Sequence, residues 1–77
     1  MTPERLRFAR EQLGPKWGLS RPLHYAELGR ALRLGGRDPG RLISGYERGS
    51  VAIPGPLSVA VDMMLAGALP PDGLGDL

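Results

Sequence analysis

The sequence predicts a small all-α domain, a bundle of four to five short helices with no credible strand. Three observations carry this. Apolar residues recur at three- and four-residue spacing in four separate stretches, Pro residues fall directly after capping side chains, and Gly residues follow the apolar runs. Glycine (12) and proline (8) are abundant enough in 77 residues to border on low-complexity composition. A hydrophobic share of 42% against 23% charged residues still leaves material for one core. A core of this size yields about 3–5 kcal/mol of net stability, too little to carry a catalytic cleft with subsites easily, and dimerisation is a natural supplement.

Helix one begins at Thr2-Pro3-Glu4, with Thr2 as N-cap, Pro3 at the first helical position and Glu4 near the positive end of the dipole. Leu6, Ala9 and Leu13 share a face flanked by Phe8, and Gly14-Pro15 is expected to end the helix near Leu13. The loop from Lys16 to Leu23 holds two apolar anchors, Trp17 and Leu19. Trp17 reads as a lid over the core rather than as a stacking platform for a base.

Helix two is expected from about His24 to Leu34, with Tyr25, Leu28, Ala31 and Leu32 inward and Glu27, Arg30 and Arg33 outward. Gly29 inside it costs about 1 kcal/mol relative to Ala and so marks a close helix crossing. Gly35-Gly36-Arg37 breaks the chain, and Asp38-Pro39 caps and starts helix three, which runs to about Arg48 and is closed by Gly49. Its expected apolar stripe is Leu42, Ile43 and Tyr46. After the extended turn Val51–Pro56, helix four runs from Gly55 or Pro56 to Ala68 and is apolar on more than one face, so Val61, Met64 and Leu65 are expected to pack in the core or against a second copy. Residues 70–77 are expected to be a flexible tail, leaving 2–69 as the domain.

Net charge is +2, carried by ten basic residues, of which Lys16 is the one lysine. Five arginines between Arg30 and Arg48 face only Asp38 and Glu47. Arginine forks match phosphates and guanine edges, which favours nucleic acid over a small-molecule substrate. With no cysteine and one histidine, thiolate chemistry and a metal site are not expected, and no cofactor is implied. Gly-Gly-Arg-Asp-Pro-Gly lacks the Gly-Lys-Ser/Thr ending of a phosphate-binding loop. No nucleophile–base pair or acid–base set appears, so the chain is not expected to be an enzyme. The charged N-terminal residues and the absence of an apolar run of about 18 residues point to a cytoplasmic protein with no membrane contact.

Helix two, the glycine break and helix three form the unit of interest, because a helix whose inner face is held by a core can lay its outer face in the major groove. Arg37, Arg41, Ser44, Gly45 and Arg48 are the expected base contacts. Gly40 and Gly45 are read as stripping bulk so that the backbone approaches DNA, with a phosphate also welcome at the helix's positive end. Lys16, His24, Tyr25 and Ser50 are the expected phosphate contacts.

Ile43-Ser44-Gly45-Tyr46-Glu47-Arg48-Gly49 with Ile53-Pro54 resembles the end of the recognition helix in the Cro and C1 repressor-type (XRE-like) helix-turn-helix family. Leu6-Arg7-Phe8-Ala9-Arg10-Glu11-Gln12-Leu13-Gly14 and Ala26-Glu27-Leu28-Gly29 are similar to that family's first helix and second-helix signature. The stretch from Leu28 to Ile43 is longer than in that pattern. The resemblance covers residues 2–69 and implies a lambda-repressor-like fold. The protein it implies is a sequence-specific DNA-binding regulator of phage or bacterial repressor type, acting as a homodimer on a palindromic operator in double-stranded DNA. It also implies a structural ion pair between Arg10 and Glu47 that sets the angle of helix three. The alternative is a helical protein-interaction module, an antitoxin-like or adaptor subunit, using helix four as its contact.

Overall fold

The computed structural model describes residues 1–75, in which four helices and no strand occur: α1 (Pro3–Lys16), α2 (Tyr25–Ala31), α3 (Pro39–Glu47) and α4 (Gly55–Leu65). Thr2 caps α1 through its hydroxyl, which accepts from the Arg5 N–H at 3.1 Å, and Asp38 caps α3 by accepting from the Arg41 N–H at 3.2 Å. Both caps precede a proline at the first helical position, as the sequence leads one to expect.

All four helices end in the same way. The residue after the C-cap turns left-handed, and the next two N–H groups reach back to carbonyls of the last turn, the Schellman arrangement. In α1 these are Gly18 N–H to Pro15 and Leu19 N–H to Gly14; in α3 they are Gly49 to Tyr46 and Ser50 to Gly45. Glycine takes the left-handed position at Gly18, Gly49 and Gly67, but α2 uses Arg33, at φ 56°. Three helix ends therefore move from where the sequence suggests. α1 runs through Gly14-Pro15 to Lys16, because Gly14 is needed in the helix as a contact surface: a Cβ there would lie 1.8 Å from the Arg21 carbonyl oxygen. α2 stops at Ala31, short of Leu34, with its end set by Arg33 rather than Gly35. α4 likewise ends at Leu65, with Gly67 closing it, rather than at Ala68.

Every helix contributes to one core, which contains Leu6, Ala9 and Leu13 of α1, Leu28 and Ala31 of α2, Ile43 and Tyr46 of α3, and Leu57, Val61 and Met64 of α4, with Leu23 from the first loop. Trp17, Leu19, Ile53 and Leu65 pack against its edge. Val61 and Met64 are thus core residues and not a surface for a second copy; the exposed apolar side chains of this region are Val59, Met63 and Leu69. Pro70 is buried and Asp72 pairs with Arg33 at 2.7 Å, so the first part of the segment expected to be a loose tail lies against the end of α2. Asp76 and Leu77 lie outside the described residues.

The packing of α2 on α3 is unusually close. A Cβ on Gly29 would lie 2.5 Å from the Pro39 carbonyl oxygen, and one on Gly40 would lie 2.6 Å from the Ala26 backbone nitrogen. Gly29 therefore marks the helix crossing its cost implied. Gly40 does not face outward toward DNA; it is the other half of the same crossing. Because α3 leans on α2 along its Pro39–Gly40 edge, Ile43 and Tyr46 take the buried positions and Leu42 is turned out, 42% exposed, in place of its expected position in the apolar stripe.

Candidate nucleic-acid interface

Arg10 is the hub that fixes α3 relative to the rest. Its Nε donates to Glu47 Oε2 at 2.7 Å and its Nη2 to Glu47 Oε1 at 3.2 Å, while Nη1 donates to the Leu23 carbonyl at 2.7 Å. The guanidinium also lies 4.5 Å from the centre of the Tyr25 ring. One side chain of α1 thereby holds the end of α3, the loop residue that precedes the α2 N-cap, and the first residue of α2. Hydrogen bonding from Glu47 outweighs burial and raises the Arg10 pKa above its ordinary value. Glu47 is consumed structurally, its side chain only 6% exposed.

A second paired acid supports the start of α2. Glu27, expected on the outer face, is buried instead, because it accepts from the His24 N–H at 2.6 Å as the reach-back half of a capping box and from Arg21 at 2.7 and 3.1 Å. The Arg21 fork, opposed by burial and helped by the His24 N–H, brings the Glu27 pKa down to about 2.

With α3 held this way, its outer surface carries Arg41 and Arg48 with different chemistry on each flank, while Gly45, expected as a base contact, is buried. One flank is an open groove of about 510 Å³ bordered by His24, Tyr25, Asp38, Gly40, Arg41, Ser44 and Arg48. Arg48 Nη1 donates to Ser44 Oγ at 2.8 Å, so the serine steadies the arginine along the helix. The other flank is bordered by Arg37, Asp38, Arg41, Leu42, Gly45, Arg48, Ser50 and Val51. The structure therefore gathers Arg37, Arg41, Ser44, Gly45 and Arg48 with His24, Tyr25 and Ser50 around one helix.

Lys16 is not in that group. Its ammonium donates to the Leu65 carbonyl at 2.8 Å at the end of α4, beside Arg5 and Phe8 on the α1–α4 side. Its position caps the α4 dipole. The amide end of α3 is also less open to phosphate than the sequence suggests, because the Asp38 carboxylate already holds the Arg41 N–H.

Among the described residues no acidic side chain pairs with Arg37, Arg41 or Arg48, since Asp38 serves as a cap and Glu47 is held by Arg10. Three arginines stand on this face against one exposed carboxylate, Asp38, so its balance is positive. Sequence reasoning missed Leu42 and Val51, which are 42% and 52% exposed on the second flank. A signal was available: at 100° per residue, Leu42 and Ile43 cannot both point inward once Pro39 and Gly40 lie against a neighbouring helix.

No helix among the described residues is long and apolar enough to cross a membrane. In comparison with known proteins, no family model, curated protein or solved structure matches this chain.

Proposed function

We propose that the protein is a sequence-specific double-stranded DNA-binding regulator of the small repressor type, with α2 and α3 acting as a helix-turn-helix and α3 lying in the major groove. The observation that carries this is the outer face of α3: among the described residues Arg41 and Arg48 stand two turns apart without acidic partners, while Glu47 is tied to Arg10 and Asp38 caps the helix. In this reading Arg37, Arg41 and Arg48 reach base edges or phosphates, Ser44 reads the edge of a base, and His24, Tyr25 and Ser50 border the phosphate backbone. Lys16 takes no part. A homodimer on a palindrome follows if a twofold interface forms, with half-sites about one helical turn apart.

The test is a binding titration against a duplex enriched from a random library, run at two salt concentrations beside a scrambled duplex. The reading expects preference for the enriched duplex and a log–log salt slope of several units. Arg41→Ala costs about 1–3 kcal/mol and relaxes choice at one base position. Failure to enrich any duplex would overturn the reading. A protein-interaction module is the second reading, favoured by the exposed Val59, Met63 and Leu69 around α4; it expects no DNA binding at either salt concentration.

A further inference from the structure

The two flanks of the α3 ridge differ in a way that positive charge does not require. On the flank of His24 and Tyr25 stands a hydroxyl, Ser44, engaged by Arg48. On the other flank stand two branched aliphatic side chains, Leu42 and Val51, more exposed than their chemistry favours and set among Arg37, Asp38, Arg41 and Arg48. Gly45 forms the floor between them: a Cβ placed there would sit 3.9 Å from a Val51 methyl, so the valine already leans over the glycine.

An apolar patch set among three arginines and one carboxylate, Asp38, whose oxygen already accepts from the Arg41 N–H, fits few ligands. A protein or lipid surface that is apolar throughout would have to strip water from the guanidinium groups, which is costly. A groove of duplex DNA presents both chemistries within one base step, because phosphates and guanine acceptors lie beside the one apolar group on the major-groove edge, the 5-methyl of thymine. Resting on the DNA-binding reading above, we propose that Leu42 and Val51 form a receptor for a thymine methyl group. The preferred sequence then carries thymine next to a guanine addressed by one of the flanking arginines. Removing a methyl from a site that buries it changes affinity by about three- to five-fold.

The experiment replaces thymine by uracil, one position at a time, in a duplex enriched from a random library, and measures affinity of the full chain and of Leu42→Ala and Val51→Ala. Both residues are exposed, so the variants retain the fold, which circular dichroism checks. The proposal expects one uracil position per half-site to weaken wild-type binding about three- to five-fold, and expects Leu42→Ala to bind thymine and uracil equally at that position. Specific binding that is indifferent to uracil everywhere overturns this proposal while leaving the DNA reading in place. So does a thymine preference that survives both substitutions. If no duplex is enriched at all, the DNA reading falls first and this proposal with it.

Discussion

The Arg10 guanidinium and the Glu47 carboxylate meet as a fork, at 2.7 and 3.2 Å, across 37 residues of sequence and with both side chains largely out of solvent. A pair so placed does more than join two helices, because the same guanidinium holds the Leu23 carbonyl and stacks on Tyr25. Removing Glu47 leaves a cation largely out of water, and removing Arg10 strands a carboxylate. Arg10→Ala or Glu47→Ala should therefore cost about 2–4 kcal/mol, close to the whole stability of a domain this small. Urea denaturation measures the loss. A double-mutant cycle should return a coupling energy above about 1 kcal/mol, and a cycle near zero would show that the pair is incidental.

Glu27 makes stability depend on pH. Its pKa falls from 4.5 in the free side chain to about 2 in the fold. Between those values the unfolded chain binds more protons than the native one, so stability is fully present above about pH 4.5 and declines as pH falls toward 2. Thermal melts at pH 3 and pH 5.5 should differ by more in the wild type than in Glu27→Gln. The variant itself loses about 1–3 kcal/mol at neutral pH, from the weakened bonds to Arg21 and to the His24 N–H.

Three glycines of α2 and α3 separate structural from functional roles. Gly29→Ala and Gly40→Ala each drive a Cβ into backbone of the facing helix, at 2.5 and 2.6 Å, and each should destabilise by about 1–3 kcal/mol or more. At Gly45 the only contact of an added Cβ is 3.9 Å, and the gain in helix propensity should stabilise by up to about 1 kcal/mol. Gly45→Ala should nevertheless weaken DNA binding, since the added methyl enters the space beside Val51 that the proposed interface borders. Melting temperature and affinity moving in opposite directions is the expected signature.

How far the sequence alone could go is visible in these same residues. The caps at Thr2 and Asp38 were legible, because a hydroxyl or carboxylate followed by proline has one good use at a helix start. So was the Arg10–Glu47 pair, through the family resemblance, and so was the cost of Gly29. A glycine inside a helix announces a close approach without saying to what, and hence Gly40, read as facing DNA, turns out to face Ala26. Helix ends were misplaced for a related reason. Gly14, Gly18 and Gly35 are locally equivalent candidates for a left-handed residue, and only the tertiary contact of Gly14 with Arg21 and the use of Arg33 decide among them. Lys16 read as a generic phosphate contact because nothing local to it reveals the Leu65 carbonyl, 49 residues away.

Arg33 tests the helix-end account. It holds a left-handed conformation at φ 56° that glycine adopts without strain. In an Asp72→Ala background, where the exposed pair to Arg33 is already gone, Arg33→Gly should raise stability by about 0.5–1 kcal/mol by chemical denaturation. Gly49→Ala, the reverse change at the end of α3, should lower it by about 1–2 kcal/mol. Matching signs for the two would contradict the shared geometry.

The claim on which the rest depends is that the outer face of α3 meets duplex DNA. Amide chemical-shift mapping of the labelled full chain, titrated with an enriched duplex, tests it most directly. The account predicts that perturbations concentrate on residues 24–26 and 37–51 and are sparse along α4. Perturbations centred on residues 59–69, or none at saturating duplex, would contradict it.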